Sequence, residues 1–334
     1  VGYPIAEIKN DGSFYITKHP GTGGLVSTGT VTAQLLYEIS APAYLNPDVI
    51  AHFDTLNIEE VSKDRVYVSG CRGSSPTNTH KVCINLAGGY RNGMEFILTG
   101  IDIEAKAQII TEALFNSVGG KEQFDEVSIL LDRTDKKDPN SNEEAMASLR
   151  ISVKSKDPDL VGRMFTAKMI ELALANYPGF FTGGGVRSGG PVLVYWPALI
   201  DSKHIEETVH IDGKEINVKP TNQLDLEETY YQKQPIEIPP PPSGQTFNKP
   251  LGELFGARSG DKGGCANIGV WAKNENAFSF LNNYLTVEKI KELMPDISEF
   301  EIDRYELPNI LSLNFYIHDI LEDGVSSNTR KDGQ

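Results

Sequence analysis

Between Arg258 and Gly269 the chain reads Arg-Ser-Gly-Asp-Lys-Gly-Gly-Cys-Ala-Asn-Ile-Gly, a stretch that concentrates groups able to handle charge and protons. Arg258 offers a planar fork suited to a carboxylate or phosphate, and Lys262 a mobile point charge. Asp261 stands beside Lys262, placed to orient it or accept a hydrogen bond, while Ser259 and Asn267 add neutral ligand-binding groups. Gly260, Gly263, Gly264 and Gly269 permit backbone conformations closed to other residues and a close approach of a ligand. Leu251 to Ala257 and Ile268 to Ala272 favour strands, so a glycine-rich loop between two strands is expected. A tight hairpin with solvated charges is the plainer alternative, although a turn alone needs about one or two glycines.

Two more glycine-rich segments can carry chemistry. In Lys18-His-Pro-Gly-Thr-Gly-Gly24 the amides of Gly21, Thr22, Gly23 and Gly24 are expected directly before a helix N-terminus, where they form an anion site. Lys18 adds a cation and His19 a group that titrates near neutral pH. Neither a Walker nor a GxGxxG spacing is present, and a glycine turn joining strand to helix is the competing reading. Thr182-Gly-Gly-Gly-Val-Arg-Ser-Gly-Gly190 holds Arg187 and reads as a mobile lid or a slack surface loop. Gly70 to Pro76, with Arg72, reads as plain turn chemistry. Cys71, Cys83 and Cys265 are too few and scattered for a disulfide framework, which points to a reducing compartment such as the cytoplasm. The six histidines show no zinc spacing, and His204 and His210 read as surface residues.

Longer segments carry a resemblance. Leu251-Gly-Glu-Leu254, the Arg258 to Gly264 run, Asn267-Ile-Gly-Val-Trp271, Arg304-Tyr-Glu-Leu-Pro-Asn309 and Leu313-Asn-Phe315 resemble the C-terminal ferredoxin-like domain of the acyclic terpene utilisation (AtuA) family. Val1-Gly-Tyr-Pro-Ile-Ala-Glu7, Lys18 to Gly24, Tyr177-Pro-Gly179 and Tyr195-Trp-Pro197 resemble that family's core domain. Cys265 departs from the small or acidic residue common there. The resemblance implies a part in catabolism of acyclic terpenes such as citronellol and geraniol, whose intermediates are branched acyl-CoA thioesters.

Composition bounds the partners. Net charge is −15, from 31 Lys plus Arg against 46 Asp plus Glu, which opposes nucleic-acid binding but leaves a local cationic pocket for a small anionic substrate. No apolar run approaches the roughly 20 residues of a membrane helix, so no membrane partner is expected. The chain opens on Val1 rather than Met within a strand-like segment, so a missing N-terminal portion of the same protein is expected and targeting is left unread. Association with further copies of the chain stays open.

Alternating strands and helices argue for an α/β core with a mixed sheet, followed by a small α+β ferredoxin-like domain. Val31, Leu35, Leu36 and Ile39 recur at helical spacing and end at Ser40 to Pro42. Strands are expected at 56–61, 65–69, 94–103, 126–131, 147–153 and 192–199, and a helix over 104–116 with Ile109, Ala113 and Leu114 inward. Asp157-Pro158 reads as the start of a helix reaching Asn176, with Val161, Phe165, Met169 and Leu172 on one face and Pro178-Gly179 as its stop. Asp212-Gly213 marks a hairpin between 206–211 and 214–218. Pro239 to Pro242 mark a stiff spacer, dividing the chain into a core domain at 1–234, a linker at 235–249 and a second domain at 250–334. That domain is read as two strands, a helical stretch from 276 to 294, and strands at 300–305 and 311–318.

The favoured function is an enzyme of the hydratase or lyase class acting on a branched acyl-CoA, or its acid, with Lys262 or His19 handling a proton. Arg187 and the glycine loops hold the anionic group, and a CoA thioester enters as substrate rather than as a resident cofactor. The alternative is a non-catalytic module that binds an acyl carrier or docks a partner enzyme.

Overall fold

The computed structural model describes residues 2–175, 177, 179–218, 231, 235–245 and 247–333. Val1 in the opening motif, Asn176 and Pro178 at the expected helix end, and Thr246 in the proline-rich spacer lie outside the described residues. The chain groups into two compact units, one of Val1–Ile84, Pro197–Val325 and Asp332–Gln334, the other of Asn85–Trp196 and Ser326–Lys331.

In chain order the elements begin with β1 (Ile5–Ile8), β2 (Phe14–Thr17), α1 (Thr28–Glu38), β3 (Ala43–Leu45), β4 (Ile50–His52), β5 (Asn57–Ser62), β6 (Arg65–Ser69) and β7 (Arg72–Ser74). Next come β8 (Thr79–Thr99), α2 (Ile103–Ser117), β9 (Glu126–Asp132), β10 (Met146–Ser155), α3 (Arg163–Glu171), β11 (Phe181–Thr182), β12 (Gly190–Asp201), β13 (Glu207–Ile211) and β14 (Lys214–Val218). The C-terminal part holds α4 (Leu251–Leu254), β15 (Phe255–Lys262), β16 (Cys265–Ala272), α5 (Glu275–Tyr284), α6 (Val287–Leu293), β17 (Ile302–Leu307) and β18 (Ser312–Ile317).

The first unit contains sheets ordered β1-β2-β6-β5, β3-β4-β7 and β15-β16-β18-β17, and the hairpin β13-β14. Asp212 and Gly213 both take positive φ (50° and 72°) at the turn of that hairpin, as the Asp-Gly pair implied. One face of the β15-β16-β18-β17 sheet buries Leu313, Phe315 and Ile317 with Phe278 and Leu281 of α5 and Ile290 of α6. A second core joins Val31, Leu36 and Ile39 at α1 to Val66 and Val68 of β6 and to Leu307 and Ile310, so it draws residues from both sides of the proline run.

Helix α1 lies against β15 and β16, and glycines make that approach possible. A Cβ on Gly260 would stand 2.6 Å from Tyr37 Cδ2, and one on Gly269 would stand 2.5 Å from Leu36 Cβ. Its N-terminus is closed by Ser27, whose hydroxyl accepts from the Thr30 amide while Thr30 Oγ1 accepts from the Ser27 amide. At the other end the last carbonyls would be orphans, and side chains of the C-terminal sheet take them up. Asn267 Nδ2 donates to Leu36 O (2.6 Å) and Ile39 O (3.0 Å), and Asn314 Nδ2 to Ser40 O (2.7 Å) and Ile39 O (3.2 Å). Lys262 Nζ donates to Tyr37 O. Asn309 does the same for the 3-10 turn Phe53–Thr55, donating to Phe53 O and Leu56 O, both at 2.9 Å.

In the second unit β8, β9, β10 and β11 form a sheet in the order β11-β8-β10-β9, with β12 also on β8. Period-two alternation buries Ala147, Leu149, Ile151 and Val153 of β10 with Met94, Phe96 and Leu98 of β8. Ile110 and Leu114 of α2 and Phe165 and Met169 of α3 cover them. Ser148, Arg150 and Ser152 are thereby turned to the opposite, polar face.

Several expectations are corrected. The body is sheet-rich, with fewer helices than an α/β core implies, and the described strand registers, which do not include that of β12 on β8, are antiparallel. The segment at 94–103 is the end of a longer strand that stops at Thr99. In α2 Ile110 is buried and Ile109 exposed, because a helix starting at Ile103 turns its stripe to 103, 107, 110 and 114. The expected helix at Asp157 starts at Arg163 instead, since the Asp157 carboxylate accepts the Asp159 amide in a turn (2.9 Å). Val161, Phe165, Met169 and Leu172 are nonetheless all buried. Thr286 caps α6 through the Lys289 amide and splits the expected 276–294 helix in two. Leu251–Leu254 is a helical turn, not strand.

Replacing Asn267 by Ala removes the side-chain donor of Leu36 O and leaves Ile39 O with only the longer bond from Asn314, and it should lower unfolding stability by about 1–3 kcal/mol. Gly269→Ala, which must displace Leu36, should cost about as much. Urea midpoints check both, and an unshifted midpoint for either would show that α1 does not depend on this docking.

Candidate functional site

The structure gives most of the residues singled out at 258–269 a structural task. The stretch is no loop: β15 and β16 pair without a break from Phe255↔Ala272 to Lys262↔Cys265, and the turn is Gly263-Gly264 alone, with Gly263 at φ 70°. Arg258 lies over the Tyr37 ring at 4.6 Å and Lys262 over the same ring at 4.8 Å. Gly260 is buried beneath Tyr37, Asn267 is fully buried, and Ser259 and Asp261 are half-buried strand residues. Burial pushes the Lys262 ammonium below its ordinary 10.5, Lys81 adding to the effect and Glu38 and Asp261 opposing it.

The loop at 19–24 does not run directly into the helix, because Leu25, Val26 and the cap Ser27 intervene. Thr22 turns back on His19, its amide and hydroxyl both donating to His19 O (3.4 and 2.7 Å), and Lys18 Nζ donates to Thr22 O (2.8 Å). His19, Gly21, Thr22, Gly23 and Gly24 are exposed. The Thr28 amide at the helix start already faces Glu60 Oε2 (3.3 Å). His19 precedes α1 and Lys262 meets its last turn, so a helix of about 16 Å separates them. Arg187 belongs to the second unit.

That unit holds a cavity of about 330 Å³ on the polar face of its sheet. Arg187 lines it together with Glu95, Asp132, Ser148, Arg150, Gly183, Gly184, Gly185 and Lys331. The alternation of β10 aims Ser148 and Arg150 here, and Glu95 of β8 and Asp132 of β9 stand on the same face through the pairs Arg150↔Glu95 and Ser148↔Asp132. Ser148 Oγ donates to Glu95 Oε1, and Lys331 Nζ pairs with Asp132 Oδ2. Arg150 Nη2 donates to Thr329 O (2.8 Å), a bond that takes one of the five N–H donors of its guanidinium.

The loop after Thr182 is anchored at both ends. Gly183 donates its amide to Glu95 O (2.8 Å), and a Cβ there would stand 3.0 Å from Glu95 Oε2. Arg187 Nε donates to Gly93 O (3.0 Å), and Arg187 O accepts from Thr166 Oγ1 (2.8 Å) and buried Asn92 Nδ2 (3.0 Å). Between these anchors Gly184 and Gly185 have nothing within 4 Å of an added Cβ, so the tip is open. A neighbouring cavity of about 300 Å³ shares Gly93, Ser152 and Arg187 and adds Arg91 and Asn92.

Of the residues expected from sequence, this site contains Arg187 alone. Glu95, Ser148 and Arg150 were missed although the alternation Ala-Ser-Leu-Arg-Ile-Ser-Val over 147–153 marks a polar strand face. No group of three His, Cys, Asp or Glu among the described residues stands close enough to hold a metal ion. None of the three cysteines is in a disulfide. Among the described residues no helix is long and apolar enough to cross a membrane.

Residues 1–211 match the model of the acyclic terpene utilisation family protein AtuA, and residues 249–334 match the AtuA ferredoxin-like domain. The four-stranded antiparallel sheet with α5 and α6 is the second of these. No curated protein and no solved structure matches the chain significantly.

Because Lys262 is held below 10.5 by burial, the unfolded chain binds a proton that the folded chain has released in the window just under that value. Stability therefore gains a term that rises with pH there. Lys262→Met should lose that rise, so the difference between wild type and variant in urea unfolding should grow as pH climbs toward 10.5. Parallel curves would mean the ammonium is solvated.

Proposed function

Since the chain belongs to the acyclic terpene utilisation family AtuA, we propose that it is an enzyme of acyclic terpene catabolism that takes a branched acid or its CoA thioester into the cavity of the second unit. The observation that carries this reading is the union in one cavity of three cations, Arg150, Arg187 and Lys331, with two carboxylates, of which Asp132 pairs with Lys331 and Glu95 is hydrogen-bonded to Ser148. Arginine forks suit a carboxylate or the oxygen of a thioester. Leu130 and the methylene stems of Arg150 and Lys331 supply an apolar wall for a branched chain.

At about 330 Å³ the cavity sits at the low end for small-ligand sites, about 300–1,000 Å³, and fits an acyl end rather than a whole CoA. The adjoining cavity of about 300 Å³ beside Arg91 offers a cation to the next part of a thioester, whose nucleotide end extends beyond it. Glu95 is the candidate general base. In a hydration it takes a proton from water as the oxygen adds to the β-carbon, and the α-carbon takes up a proton, while Arg187 or Arg150 stabilises charge on the carbonyl oxygen. The reverse sequence is the corresponding lyase step.

Titration with the acids derived from citronellol and geraniol, and with their CoA thioesters, should show binding. Turnover of the α,β-unsaturated thioester should fall roughly 10²–10⁴-fold in Glu95→Gln, with its ligand binding and melting temperature retained. Full turnover in Glu95→Gln removes Glu95 from the chemistry. Binding without turnover by the wild type favours instead a non-catalytic acyl-carrier or docking module, and no binding of any of these ligands ends the reading.

A further inference from the structure

One residue lining the cavity of the second unit, Lys331, comes from a segment far away in sequence from the rest. Ser326–Lys331 joins this unit, and its attachments are to the sheet's polar face. Arg91 Nη1 donates to Asn328 O (3.0 Å), Arg150 Nη2 to Thr329 O (2.8 Å), Thr329 Oγ1 to Glu126 Oε1 (3.0 Å) and Ser326 Oγ to Leu193 O (2.7 Å). Ser327 and Asn328 are buried, which polar residues of a loosely draped segment would not be. Lys331 then reaches the cavity and pairs with Asp132.

The charges lining the cavity show what this achieves. Without the segment they are Arg150 and Arg187 against Glu95 and Asp132, two of each sign. With it Lys331 cancels Asp132, and one positive charge is in excess. We propose that Ser326–Lys331 is the element that makes this cavity select anions, with Lys331 as the specificity-determining residue and Thr329 O as the group that positions Arg150. The inference rests on the functional reading above only for the identity of the ligand, since the selection applies to any anion.

The test is a double-mutant cycle on the full chain at low salt, with citronellate and inorganic phosphate as probes. Lys331→Met exposes Asp132 to the ligand and should weaken binding by about fivefold, the effect of one unit charge about 4 Å away in water. Asp132→Asn should bind as tightly as wild type or tighter, even though it removes the partner of Lys331. The double variant should return to within about twofold of wild type. All differences should shrink as salt is raised. If the segment mattered only as a fastening, Asp132→Asn would weaken binding as Lys331→Met does and the double variant would not recover. Either result, or unchanged binding in Lys331→Met, overturns the proposal. Phosphate binding in the expected order without citronellate binding leaves anion selection standing and removes the terpenoid ligand. Binding of neither probe by the wild type overturns both.

Discussion

The docking of α1 onto a glycine-lined sheet face is the constraint on which the first unit depends. A helix buried at its C-terminal end presents carbonyls that water cannot reach, and leaving them unpaired would cost more than the burial of Leu36 or Ile39 returns. Asparagine answers this need better than a charged donor. Its amide supplies two N–H groups, carries no charge into the core, and is short enough to stay within a strand. Asn267 and Asn314 together meet Leu36, Ile39 and Ser40, and they bond each other at 2.9 Å. The arrangement is not free of cost, since Asn267 Oδ1 and Asn309 Oδ1 are buried without a hydrogen-bond partner. Donors are matched at the expense of acceptors, the lesser penalty when five main-chain oxygens need N–H groups.

This constraint also accounts for the glycine-rich motif. A glycine can be required because φ is positive or because no Cβ fits, and the letter in the sequence is the same for both. Among Gly260, Gly263 and Gly269 the first reason holds at Gly263 alone. At Gly260 and Gly269 the second holds, and the atoms responsible, Tyr37 and Leu36, lie more than 200 residues upstream. A loop was therefore expected where the chain forms a hairpin whose face is smooth enough for a helix. Arg258 and Lys262 look like ligand groups by type, yet they pack over Tyr37, and Lys262 also reaches its carbonyl. The signals carried by local periodicity fared better. The helix at 28–38, the strands at 57–62 and 65–69, the Asp-Gly hairpin and the two-period strand β10 were all legible, because each depends on spacing within a dozen residues.

The site in the second unit was legible by half for the same reason. Which residues of β10 face away from the core follows from the alternation, so Ser148 and Arg150 could have been read as partners on a polar face. That Glu95 and Asp132 stand opposite them depends on strand register across β8 and β9, which no local pattern encodes. Arg187 was singled out for its glycine-rich surroundings, and it does line the cavity. Its guanidinium is also tied to Gly93 O, so it serves as both loop anchor and cavity wall.

The two units thus use the same chemistry toward different ends. In the first, side-chain amides and an ammonium meet main-chain carbonyls to hold a helix. In the second, Arg91 and Arg150 also meet main-chain carbonyls, those of Asn328 and Thr329, but a guanidinium has five donors and such bonds occupy only part of them. What remains can face a ligand while the carbonyl holds the fork in place. An asparagine in that position would be used up by the fastening. This difference in donor number is why the motif richest in charges and glycines makes a scaffold, whereas a plain alternating strand, met by a segment from near the other end of the chain, makes the cavity.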